Sequence, residues 1–184
     1  MFSAEQIDQL LKPIHPSRVL KDAKGMAHVS QQDIRAHLTR IFGFGNWDIA
    51  VLDHELVFEE GHVKNGELVP GRWDVCYRAR VRLQVFPDGG RPLFNCVTYE
   101  DVSTGVAQNQ NRADGHDLAA KSALSTAIKR CAINLGDQFG LSLYNKGQTS
   151  ALVKATMVRP EGTATGDVQD GVPEQLADEA VSGG

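Results

Sequence analysis

"RWDVCYRARVRLQV", residues 72–85, alternates without interruption. Trp73, Val75, Tyr77, Ala79, Val81, Leu83 and Val85 fall on one side of an extended chain, and Arg72, Asp74, Cys76, Arg78, Arg80, Arg82 and Gln84 fall on the other. Period 2 over this many positions predicts a strand with one face on a core and the other in water, the habit of an antiparallel sheet. Its wet face carries three arginines in a row.

Strand-like segments flank this one at residues 47–58 and 93–102, with "PDGG" at 87–90 as a hairpin turn into the third. On the N-terminal side, residues 4–11 predict a short helix with Ile7, Leu10 and Leu11 together and Pro13 as its stop. Residues 30–42 predict a second helix, with Ser30 as N-cap, Asp33 in the capping-box position and Ile34, Leu38, Ile41 and Phe42 as an apolar stripe. "GFGNW" then breaks it. On the C-terminal side the longest helix is predicted over 117–139, about 34 Å at 1.5 Å per residue. Ala120, Leu124, Ala127, Ile128, Cys131 and Leu135 share its apolar sector, while Ser122, Ser125, Thr126, Lys129 and Arg130 lie across from it. Gly136 and Gly140 weaken its end or let another backbone come close. The expected class is therefore α+β: short N-terminal helices, an antiparallel β-β-β meander and a long α-helix packed across it.

The 184 residues, 41% hydrophobic and 23% charged, have a globular composition. A leader is lacking, and no apolar run approaches the ~20 residues of a membrane span, so a soluble, cytoplasmic protein without a membrane partner is expected. Cys76, Cys96 and Cys131 are odd in number and widely spaced, which suits neither a zinc pair nor a disulfide framework. The six histidines show no HExxH or HxH pairing and the chain has no GxxxxGK[ST], so neither metal nor nucleotide is expected, and no cofactor.

From Lys146 onward the patterning stops. The aromatic-poor, acidic remainder predicts a flexible tail over 147–184 behind a folded domain over 1–146. Sixteen basic and seventeen acidic residues precede Lys146, so any anion binding must come from local clustering. The arginine face of the central strand and the Lys129–Arg130 pair are the two clusters. Lining one groove, they would attract phosphates, with Asp74 and Asp137 as the nearest moderating acids.

Four fragments in order, "GFGNWD", "VCYRARVRLQV", "YEDVSTGVAQ" and "DLAAKSALSTAIKRCAINLGDQFGLSLY", resemble the Rad52-type single-strand annealing proteins of homologous recombination. The matching positions are Phe42, Gly43 and Trp47, then Val81 to Val85, then Glu100, Asp101, Val102, Gly105 and Val106. The helix follows with Ala119, Lys121, Ala123, Lys129 and Arg130, and with Gly136 and Gly140 at the glycines. The resemblance covers residues 2–146, and the compact size suggests a bacteriophage or prophage version.

The resemblance implies an oligomeric ring or filament that binds single-stranded DNA in a positive groove and anneals complementary strands without ATP in double-strand break repair. It also implies work beside a host or phage recombination protein or single-strand-binding protein. It puts Lys129, Arg130 and Lys121 on the DNA-lining helix, and Arg112 in a loop where the family has lysines. Ile133 stands where that helix has a further arginine, and Asp33 where the preceding helix has a groove arginine, leaving Arg35 and Arg40 as compensating candidates. Arg78 and Arg80 are extra to the family pattern, and their place in the groove rests on the strand reading alone. Glu100 and Asp101 look like a nuclease metal pair, but no E-x-K follows, and in the family this element is a structural turn. Annealing needs no catalytic residue, only neutralised phosphates and free base edges. Two other readings stand beside it: a metal-dependent nuclease, and an oligomeric scaffold whose cations serve subunit contacts instead of DNA.

Overall fold

In the computed structural model, which describes residues 2–22, 24–87 and 96–158, the chain opens with helix α1 (Ala4–Leu10). Ser3 and Gln6 cap it reciprocally, the Ser3 hydroxyl accepting from the Gln6 amide and the Gln6 side chain accepting from the Ser3 amide. A small hairpin of β1 (Leu20–Lys21) and β2 (Ala27–His28) leads to α2 (Gln31–Phe42). Ser30 caps α2 by accepting from the Asp33 amide, as the sequence predicts. The Asp33 carboxylate does not close the box; it faces Arg18, which donates to both its oxygens at 2.7–3.2 Å.

Three strands follow in antiparallel order, β3 (Trp47–Lys64), β4 (Glu67–Val85) and β5 (Val97–Gln110), with β4 in the middle. The alternation of β4 holds except at Cys76, which is buried on the face expected to be wet: Val75, Ala79, Val81, Leu83 and Val85 are buried on one face, while Arg78 and Arg80 are exposed on the other. Both β3 and β4 run further than the sequence reading had them. Their ends meet at Asn65–Gly66, whose φ values of 55° and 87° belong to the left-handed turn that suits the twist of a two-residue hairpin. The extension was invisible to periodicity because register shifts at 51/53, 56/58 and 61/63 break the alternation of β3, and that end of the hairpin lies mostly exposed. β5 continues beyond the expected end to Gln110, so Glu100 and Asp101 are strand residues and not a turn; 93–95 of the expected strand lie outside the described residues. Of the "PDGG" turn only Pro87 is described; 88–90 lie outside the described residues.

Helix α3 (Arg112–Ala132) starts earlier than predicted, capped by the Asn111 side chain on the Asp114 amide. It also ends earlier, giving way to three 3-10 turns, Ile133–Leu135, Asp137–Phe139 and Leu141–Tyr144, broken at Gly136 (φ 101°) and Gly140 (φ 95°). The buried face keeps Ala127, Ile128, Cys131 and Leu135 of the expected sector and turns toward smaller residues in the first half of the helix. Gly115, Ala119, Ala123, Ala127, Ile128, Cys131 and Ala132 are buried, whereas Ala120 and Leu124 are only partly covered. Side-chain size chose that face: at Gly105 of β5 an added Cβ would sit 2.3 Å from both the Ala119 carbonyl oxygen and the Ala123 nitrogen. The helix rides on the sheet almost backbone to backbone.

The core lies between α3 and the apolar face of the sheet, closed by Ile34 and Leu38 of α2 and by Phe139 and Ile14. Past Lys146 the described chain runs along this body as far as Val158, and the Val153 amide donates to the fully buried Asp137 at 3.0 Å.

Candidate nucleic-acid interface

The last turns of α3 present Thr126 and Lys129, and the 3-10 turn after it presents Ile133, as a wall of a cleft of about 510 Å³. The β1–β2 hairpin faces it with Lys21, Met26 and His28, and the last 3-10 turn brings Tyr144 and Lys146. Three lysines and a histidine from three separate stretches of chain thus converge, and no carboxylate side chain is among the described residues that line the cleft. Lys129 is half-buried there, and that burial lowers its pKa from the ordinary lysine value. A phosphate oxygen beside it would restore the favourable surroundings its ammonium lost on leaving water. Tyr144, 65% exposed, and Met26, 66% exposed, add apolar surface on which a base can rest.

Arg130, the next residue, points elsewhere. Its Nε donates to Asp101 Oδ1 of β5 at 2.9 Å, and this bond holds its pKa above the usual arginine value. The adjacent cations therefore divide: Lys129 lines the cleft, and Arg130 clamps α3 to the sheet.

Compared with known protein families, residues 3–161 match the Rad52/22 family of double-strand break repair proteins. The chain belongs to that family. A search of curated proteins found no match. Membership in the Rad52/22 family places this protein in DNA recombination and repair.

The remaining predicted cations of this Rad52/22 protein are scattered. Lys121 is exposed two turns before Lys129 and pairs with Asp117 at 2.7 Å. Arg112 is not in a loop: it opens α3, about 26 Å from Lys129 along the axis, where it bonds Glu59 and lies 5.1 Å over the Trp73 ring. Arg35 and Arg40 are exposed on α2, and Arg40 lies 4.0 Å from Asp33.

Arg78, Arg80 and Arg82 do not share a groove with Lys129 within one chain. They project from the face of the sheet opposite α3, because the helix covers the apolar face and alternation sends their side chains the other way. Arg78 pairs with Glu55 and Asp53, and Arg82 with Glu100 at 2.7 Å; Arg80 has no ion pair among the described residues. Nor are the moderating acids those expected. Asp74 is held by His62 and the Asn109 amide, and Asp137 is buried.

Lys21, His28 and Lys146 were not legible as site residues. β1 and β2 have two residues each, too few for a period, and Lys146 stood where the patterning ends. Among the described residues, no three His, Cys, Asp or Glu side chains group to hold a metal, and no helix is long and apolar enough to cross a membrane.

Proposed function

We propose that this Rad52/22 family protein binds single-stranded DNA in the cleft between α3 and the β1–β2 hairpin, and anneals complementary strands without ATP as an oligomer. The convergence of Lys21, His28, Lys129 and Lys146 on one cleft that no carboxylate lines among the described residues, in a domain of nearly balanced charge, carries this reading. Lysines there neutralise phosphates, so that two like-charged strands approach while bases remain free to test pairing. That is binding work and needs no catalytic residue and no cofactor. Glu100 and Asp101 are successive residues of one strand on opposite faces, each ion-paired to a different arginine, which disfavours a shared metal and with it the nuclease reading.

The protein works where its DNA is, in the cytoplasm of a bacterial host if the chain comes from a phage, beside a recombination protein or single-strand-binding protein. Oligomerisation fits a sheet whose outer strands, β3 and β5, each have one unpaired edge among the described residues. The ion-paired arginines of the opposite face favour subunit contacts over DNA there.

Annealing of two complementary labelled oligonucleotides without nucleotide tests the activity. Fluorescence titration across salt tests the site, where Lys129→Ala lowers the slope of log affinity against log salt by about 0.7, one phosphate contact on a single strand. Wild-type affinity and slope in that variant would place the DNA elsewhere.

A further inference from the structure

Residues 160–184 carry six carboxylates, Glu161, Asp167, Asp170, Glu174, Asp178 and Glu179, and not one lysine, arginine or histidine. The domain ahead of them has already paired many of its exposed cations internally: Arg78, Arg82, Arg112, Arg130 and Lys121 each have a carboxylate partner. The cleft gathers cations without such partners, with Lys21, Lys129 and Lys146 converging and no carboxylate lining it among the described residues. We propose that the acidic segment 160–184 docks in this cleft and competes with DNA for it, a built-in polyanion that sets the threshold for strand binding.

The inference rests on the cleft being the DNA site, and it adds the regulation of that site. Lys146 and Gly147, which line the cleft, begin the stretch of chain that leads to the acidic segment. The residues after Val158 span up to about 90 Å when extended, more than the roughly 40 Å across a domain of this size, and the four carboxylates from Asp170 onward lie far enough along the segment to reach the cleft. Tethering supplies an effective concentration of about a millimolar, enough for individually weak, salt-screened charge contacts to occupy the cleft part of the time. A DNA strand, with a phosphate on every nucleotide, displaces the segment. Short strands and high salt reveal the competition differently: the first lose to it, the second abolishes it.

Two measurements on the full chain decide the matter. In the first, Glu161, Glu174 and Glu179 become Gln and Asp167, Asp170 and Asp178 become Asn, and binding of an oligothymidylate of about 30 nucleotides is titrated. The neutralised chain binds about three- to tenfold tighter at about 50 mM salt, and the two chains converge near about 0.5 M. In the second, zero-length carbodiimide coupling of the wild-type chain without DNA, read by peptide mass spectrometry, joins Lys21, Lys129 or Lys146 to carboxylates of 160–184, and the oligothymidylate suppresses those links. Unchanged affinity on neutralisation overturns the competition. A gain in affinity with no such links also overturns docking and leaves only long-range repulsion. A wild-type chain that forms the links but binds no oligonucleotide overturns the DNA reading of the cleft, and with it the competition, while the contact itself stands.

Discussion

Arg18 shows what one partly buried cation can organise. Its guanidinium, 13% exposed, bonds the Asp33 carboxylate, the Gln138 side chain and the Gln138 carbonyl, and so ties the N-terminal segment, α2 and the turn after α3 together. His37 packs in the same knot, with its Nε2 3.3 Å from Arg18 Nη1 and its ring edge-on to Phe139. Burial first, and then the Arg18 charge, push its pKa down to about 4. The folded chain thus binds that proton less readily than the unfolded chain, whose histidine titrates near 6.5. The contribution is fully present above about pH 6.5 and is lost as the pH falls toward about 4. Urea unfolding midpoints at fixed protein concentration should drop between about pH 7 and pH 5, and His37→Gln should flatten that drop. A second expectation separates the adjacent cations of α3. Arg130→Ala leaves Asp101, 22% exposed, without its partner and lowers the thermal midpoint. In Arg130→Ala with Asp101→Ala the loss is smaller than the two single losses together, which a double-mutant cycle measures.

Between elements, the contact that sets the whole arrangement is the approach of α3 to β5 over Gly105. Backbone atoms of Ala119 and Ala123 occupy the space a Cβ would need, and backbone cannot swing aside as a flexible side chain does. Gly105→Ala should therefore cost about 3 kcal/mol, the upper part of the overpacking range, and show as loss of soluble protein or a lowered thermal midpoint. Thr104→Ala, one residue away and exposed, is the control and should change little. The same contact explains why Ala120 and Leu124 of the expected sector are only partly covered. A sector ranked by hydrophobicity selects Leu124, but a helix this close to a sheet buries its smallest residues, and Gly115, Ala119, Ala123 and Ala127 repeat every fourth position. The hairpin end of β3 and β4 was missed for another reason. Asn65–Gly66 is a strong turn signal in itself, yet the strands leading to it lack alternation because bulges shift their register and little core lies beneath them.

Across the molecule, positive charge is divided between the two sides of the sheet. The cleft side holds uncompensated lysines, and the far side holds arginines largely matched by Asp53, Glu55 and Glu100. Changing Arg78, Arg80 and Arg82 together to alanine should accordingly leave the salt slope of DNA binding at the wild-type value. Light scattering should instead show a smaller assembly, because that face is free for a neighbouring copy. A slope reduced by about 2, three phosphates' worth on a single strand, would return the strand face to the DNA.

Local pattern was enough for much of this protein. The period-2 run at 72–85 announced a central antiparallel strand, Ser30 announced the start of α2, and the order of four fragments pointed to the family that residues 3–161 match. These signals are legible because they depend on neighbours along the chain: strand alternation and helix caps are fixed by bond geometry within a few residues. The cleft is of another kind. Lys21 lies more than a hundred residues before Lys129 and Lys146, two of the three stand in stretches without periodicity, and they meet because α3 lies across the sheet and the β1–β2 hairpin closes over its end. The division of Lys129 from Arg130, and of both from the strand arginines, has the same origin. Periodicity states that a face is polar, but which side of the sheet that face occupies depends on where burial of apolar area puts the helix, and that is settled by packing between distant segments.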